Sequence, residues 1–183
     1  AWSSNNKWSL LGGMRAGAQM VSYEVAMTLA VIAVVMRAGS ADPHGIVQAQ
    51  WGLWNALPQA LGFVVFLASM FAETGRLPFD FAEGESEIVA GYLTEFGAMK
   101  FALMYLSEYL HIVTASALLV TLYLGGWRVP LVADPGPWLS AAAFLAKLLA
   151  CCWLFVWVRW TLPRVRYDQL MRLGWKVFLP TSL

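Results

Sequence analysis

Four stretches of this chain, near 14–36, 56–72, 96–124 and 139–158, are apolar over lengths that suit a bilayer crossing. About 30 Å of hydrocarbon takes roughly 20 apolar helical residues. The second stretch is short and opens at Pro58, which a first helical turn tolerates. The third is overlong, so its helix tilts or its first turns lie outside the hydrocarbon. Composition agrees: 60% of residues are hydrophobic and 13% charged, where soluble domains carry about a quarter charged. The expectation is an all-α fold, a polytopic membrane helix bundle with about four transmembrane helices, forming one membrane domain over 1–183. Ten tryptophans fit, since Trp gathers at the headgroup level.

Other classes drop out. The net charge is +1, with no basic patch interleaved with stacking aromatics, so nucleic acid is not an expected partner. Cys151 and Cys152 are adjacent inside an apolar stretch and read as small packing residues. No CxxC, haem-attachment or Gly-rich dinucleotide pattern occurs. Any redox chemistry therefore draws its electrons from a partner. The chain opens on Ala1, has no cationic-then-apolar leader, and ends after Leu179–Leu183. It reads as a piece of a longer polytopic protein.

An even number of crossings places both ends on one face. That face collects Lys7, Arg15, Arg76, Lys100, Arg159, Arg164, Arg166, Arg172 and Lys176, against Arg37 and Arg128 opposite. By the positive-inside rule it is cytoplasmic, or matrix-facing in an organelle. A basic segment over 159–176 and a loop over 73–95 lie there. The opposite connections hold turn-formers, Asp42-Pro43-His44-Gly45 and Asp134-Pro135-Gly136-Pro137, with His44 read as solvated.

The 73–95 loop holds six of the eleven carboxylates: Glu73, Asp80, Glu83, Glu85, Glu87 and Glu95. Only Arg76 offsets them before Lys100. Acids crowded at a bilayer surface repel one another unless water, protons or cations compensate. Phe79, Phe81, Ile88, Val89 and Tyr92 are interspersed among them. Acids and apolar side chains together suggest a chamber for a long lipid-soluble molecule with a polar head. Glu73 and Arg76 have the spacing of one helical face, and Pro78 then ends regular helix.

Glu24, Glu108 and Lys147 fall inside the spans, each roughly 12–18 Å deep by helical rise, so that all three share a level. A charge at the bilayer centre costs roughly 2.5–3.5 kcal/mol on the insertion scale. Three readings remain open: Lys147 neutralises a glutamate in a structural ion pair, the three mark a hydrated proton path, or the spans are misplaced and Lys147 snorkels to an interface. Tyr105 and His111 flank Glu108 on one helical stripe, as relay members or as packing partners.

Three blocks carry a family likeness. The first is Trp2-Ser3-Ser4-Asn5-Asn6-Lys7 with Leu11-Gly12-Gly13-Met14-Arg15-Ala16 and Ser22-Tyr23-Glu24. The second is Ala72-Glu73-Thr74, Arg76, Pro78-Phe79-Asp80 and Glu83-Gly84-Glu85-Ser86-Glu87, with Gly91-Tyr92, Glu95 and Met99-Lys100-Phe101-Ala102. The third is Trp157-Val158-Arg159, Leu162 to Met171 and Gly174-Trp175-Lys176. The chain resembles the H-subunit family (subunit 1 in mitochondria) of proton-pumping NADH–quinone oxidoreductase, respiratory complex I. The likeness covers essentially all 183 residues, and corresponds to a C-terminal-half fragment of an approximately eight-helix subunit.

The resemblance implies a subunit without its own redox centre that forms the quinone tunnel and part of the proton path. It implies a quinone substrate, ubiquinone or menaquinone, with flavin and iron–sulfur clusters held by partners. Those partners are the peripheral quinone-reducing and iron–sulfur subunits and small neighbouring membrane subunits. Carried over by motif, the quinone chamber and acidic loop comprise Arg15, Glu73, Arg76, Asp80, Glu83, Glu85, Glu87, Glu95 and Arg159. The proton path comprises Glu24, Glu108 and Lys147. No catalytic or metal-ligating residue is expected. The implied location is the bacterial plasma membrane, otherwise an organelle inner membrane. Two positions depart from the family pattern, Gly75 where Asn is common and Leu93 where a polar residue is common. Rivals are the related membrane-bound hydrogenase subunit, disfavoured by the Trp2–Lys7 block, a transporter or channel, and a passive anchor.

Overall fold

A computed structural model of the chain describes residues 2–76, 78–80, 93, 96–129 and 136–182. Among them regular structure is helical throughout, with no strand. After a 3-10 turn at Trp2–Ser4 come α1 (Lys7–Ala38), α2 (Pro43–Ala49), α3 (Ala60–Glu73), α4 (Ala98–Tyr123) and α5 (Pro137–Thr161). The chain closes with α6 (Tyr167–Leu173), a π-helical turn at Gly174–Phe178 and α7 (Leu179–Ser182).

Asn6 starts α1: its side-chain oxygen accepts from the Trp8 amide at 3.1 Å, satisfying an amide that a helix start leaves unpaired. α1, α4 and α5 are long and apolar enough to cross a membrane. The stretch expected at 56–72 differs in length. It is helical only from Ala60, so α3 has 14 residues and spans about 21 Å. The residues before it are committed elsewhere. Asn55 Nδ2 donates to Leu122 O at 2.9 Å, Gln59 Nε2 donates to Ala33 O at 3.0 Å, and Pro58 has no amide hydrogen to give.

α1 lies along α3, and α4 along α5. The core between them takes Ala30 and Val34 from α1, Phe66, Met70 and Phe71 from α3, Leu119 and Tyr123 from α4, and Phe155 from α5. Buried Tyr123 donates its hydroxyl hydrogen to Ala30 O at 3.2 Å, tying α4 to α1. Phe71 and Phe155 rings meet at 4.2 Å. A second cluster seats the C-terminal segment on α1: Tyr23 packs with Leu170 and Phe178, and its hydroxyl donates to Leu170 O at 2.7 Å. Outward, α4 and α5 present Leu103, Leu106, Leu110, Leu145, Leu149 and Trp153. Such apolar faces suit lipid or a neighbouring membrane helix.

Candidate functional site

The buried charges gather where α3 ends. α3 stops at Glu73, and Gly75 takes a left-handed conformation with φ +62°. This is backbone that glycine adopts without steric cost and asparagine tolerates better than most residues. The turn takes Arg76 off the helical face of Glu73. Its guanidinium reaches α4 instead, where Nη2 lies 2.8 Å from Glu108 Oε2. The rings of Tyr105 and Tyr109 flank it, with centroids 5.4 and 4.9 Å from its central carbon. The side chains of the pair are 11% and 20% exposed, so solvent screens them little.

One turn beyond Glu108, His111 lines a cavity of about 230 Å³ with Glu73, Met27, Met70, Thr114 and Ala115. Three helices contribute: α1, α3 and α4. Glu73 lies within electrostatic reach of both His111 and Glu24. Its Oε2 is buried and has no hydrogen-bond partner among the described residues. A carboxyl and an imidazole thus share a space large enough for several waters, with a second carboxyl nearby.

Several expected residues fall together and others apart. Glu73, Arg76, Glu108 and His111 form one group with Glu24 beside it. The expected Glu73–Arg76 face is replaced by the Arg76–Glu108 pair, because the backbone leaves the helix at Gly75. Asp80 is half-buried where the described part of the loop ends. Arg15 sits over the Tyr167 ring at 5.9 Å, joining α1 to α6. Arg159 is exposed in the last turn of α5, where a cation suits the helix dipole. Glu83, Glu85, Glu87 and Glu95 lie outside the described residues.

Lys147 is the main correction. Among the described residues it pairs with no glutamate, and it does not share the level of Glu108. Its ammonium donates to the carbonyls of Leu124, Gly126 and Arg128 at 2.8, 3.0 and 2.6 Å, past the end of α4. Sixteen residues of helical rise, about 24 Å, separate that end from Glu108. A depth count follows one helix alone, whereas Lys147 reaches sideways to the end of its partner helix, which stops at Tyr123. His44 is exposed as expected, yet stacks on Trp127 at 5.5 Å.

Sequence reasoning missed four polar or aromatic residues. Gln19, buried on α1, donates to Ala72 O at 2.6 Å and to Phe79 O at 3.0 Å, holding both sides of the Gly75 turn. Gln50, Asn55 and Trp54 gather around the end of α4. The available signal was an amide within or beside an apolar run, which needs a buried partner.

Apolar helices enclosing an arginine–glutamate pair and an acid–imidazole cavity define an integral membrane protein with a buried ionisable centre. Comparison with known proteins places it further. The chain belongs to the NADH dehydrogenase family, which it matches over residues 1–183. It is 50% identical over 188 aligned residues to the NADH-quinone oxidoreductase H subunit of Leptospira biflexa serovar Patoc, covering 100% of this chain and 53% of that protein. It is 51% identical over 183 residues to the NADH-quinone oxidoreductase H subunit of Rhodospirillum centenum, covering 100% and 54%. With NADH-quinone oxidoreductase subunit 8 of Rhodothermus marinus the identity is 45% over 199 residues, covering 100% and 58%. The chain spans about half the length of these curated relatives.

Proposed function

We propose that this chain is the C-terminal-half portion of a membrane subunit of a proton-translocating NADH–quinone oxidoreductase, which borders the quinone tunnel and carries part of the proton path. NADH electrons reach the quinone through flavin and iron–sulfur clusters in partner subunits. This chain supplies the wall and the charges. Arg15, Glu73, Arg76, Asp80 and Arg159, with Glu83, Glu85, Glu87 and Glu95, border the quinone head's route on the cytoplasmic side of a bacterial plasma membrane. Glu24, Glu73 and Glu108 are the titratable groups of the proton path.

The observation that carries this reading is the Arg76–Glu108 pair beside the Glu73–His111 cavity. Reducing a quinone consumes two protons and passes through anionic species. A nearby guanidinium already shared with one carboxylate, with a second carboxylate a turn away, responds to new negative charge by redistributing its interactions. A buried carboxyl oxygen without a hydrogen-bond partner among the described residues, as at Glu73, is costly in a merely tethering subunit.

The test uses the full-length subunit in the assembled complex. Glu73→Ala or Arg76→Ala should cut NADH–quinone reductase activity at least tenfold while NADH–ferricyanide reduction, which bypasses the quinone, survives. Undiminished quinone activity in both variants would remove the acidic loop from the mechanism. Capture of the intact subunit should also bring down flavin and iron–sulfur proteins; recovery of the subunit alone would favour a transporter.

A further inference from the structure

An α-helix leaves its last four carbonyls without intrahelical donors, and hydrocarbon supplies none. α4 solves this with donors borrowed from elsewhere in the chain. Thr121 O accepts from Gln50 Nε2 at 3.0 Å, Leu122 O from Asn55 Nδ2 at 2.9 Å, and Tyr123 O from the Ala56 amide at 3.1 Å. Leu124 O accepts from Lys147 Nζ at 2.8 Å. Gln50 Oε1 in turn accepts from the Asn55 and Gly125 amides at 3.3 and 2.9 Å. The two glycines that follow α4, Gly125 and Gly126, have φ +71° and +53°. A Cβ on either would meet Trp54 or Val47 at 2.9 or 2.7 Å. That tight turn curls the carbonyls of Gly126 and Arg128 back onto the same ammonium.

Three donor hydrogens thus meet three carbonyl oxygens, and the Trp54 ring lies 4.8 Å from Nζ. An ammonium has no further donor to offer. Burial opposes its charge, but three carbonyl dipoles, the negative end of α4 and an indole face all favour it. Glu108 lies about 24 Å away along α4.

We propose that Lys147 is a positioning residue, held as the ammonium, which caps α4 and fixes its register against α5 and the 50–56 turn, and that it relays no proton. One end of α4 is thereby locked, and the middle of the helix, which bears Glu108 and His111, is left to respond to the quinone. The pumping readout rests on the function proposed above; the assembly readout does not.

The experiment places substitutions in the full-length subunit and purifies the whole complex. Lys147→Arg keeps a fixed charge and several donors but cannot release a proton. It should assemble and retain quinone-coupled proton uptake in proteoliposomes within about twofold of the parent. Lys147→Met strips the carbonyls of their donor, so the complex should be recovered in lower yield or inactivate about 5 °C lower or more. Asn55→Leu should weaken the complex in the same way, although it removes no titratable group. An arginine variant that reduces quinone yet has lost proton translocation would overturn the proposal. So would a methionine variant with parental yield and thermal stability, which decides the matter if the arginine variant fails to assemble. A parent complex that itself translocates no protons would undo the broader functional reading and leave the stability comparison standing.

Discussion

Arg76, three residues past the end of α3, and Glu108 in the middle of α4 meet at 2.8 Å between two tyrosine rings, and this contact joins the acidic loop to the membrane-embedded helices. The two partners are not equivalent. The guanidinium is held by an anion and by two ring faces, each worth about 0.5–2 kcal/mol depending on desolvation. The carboxylate, an anion, gains nothing from a ring face of that kind.

That asymmetry is measurable. Arg76→Met removes the cation facing Glu108 and should destabilise more than Glu108→Gln, which leaves the cation between its rings. Removing one partner of a fully buried pair costs about 3–5 kcal/mol, and the exposure here reduces that figure. Thermal inactivation of the assembled complex should rank the variants in this order. The double variant should recover part of the loss, and strict additivity would show that the two residues do not act on each other.

The cavity beside Glu73 gives a second prediction. Ala115 lines it and is largely buried, so Ala115→Leu fills space that water needs. Overpacking typically costs about 1–3 kcal/mol where no room exists, but here a cavity receives the added atoms. Quinone-coupled proton uptake should fall at least fivefold while thermal stability changes little. Proton uptake equal to the parent's would mean that protons do not pass beside Glu73 and His111.

Much of this was legible in the chain. The long helices followed from apolar run length, and the importance of Glu73, Arg76 and Glu108 from charge where charge is costly. Their pairing was not legible. Spacing put Arg76 on the face of Glu73, yet Gly75 turns the backbone out of the helix, and only the packing of α3 near α4 reveals Glu108 as the partner. Lys147 failed for a related reason. Depth along a single helix says nothing of which turn of the neighbouring helix lies alongside, and the exposed backbone of that neighbour proved the stronger attractor. Gln19 escaped because an isolated amide advertises neither charge nor motif.

The seat of the C-terminal segment on α1 gives a third prediction. Tyr23→Phe removes the 2.7 Å hydrogen bond to Leu170 O but keeps the ring against Phe178. Leu170 O still accepts from the Gly174 amide, so it is not orphaned. The cost should therefore lie near the low end of about 0.5–1.5 kcal/mol. Amide exchange should rise over 167–182 and not over α4. Unchanged exchange in that segment would show that apolar packing alone holds it to α1.

Gly75 offers the sharpest separation of backbone from side-chain chemistry. No described residue lies within 4 Å of a Cβ placed there, so among those residues a substitution meets no steric neighbour and feels only φ +62°. A left-handed residue with a Cβ costs about 1–2 kcal/mol, and β-branched side chains are worse still. Asparagine is partly exempt through local hydrogen bonding. Stability of the complex, and with it quinone reductase activity, should fall in the order glycine, asparagine, alanine, valine. If an amide beside the quinone route were what mattered, asparagine would exceed glycine in activity without gaining stability. If valine equalled glycine in both, the left-handed turn would not persist in the working complex, and Arg76 would have no backbone reason to face Glu108 instead of Glu73.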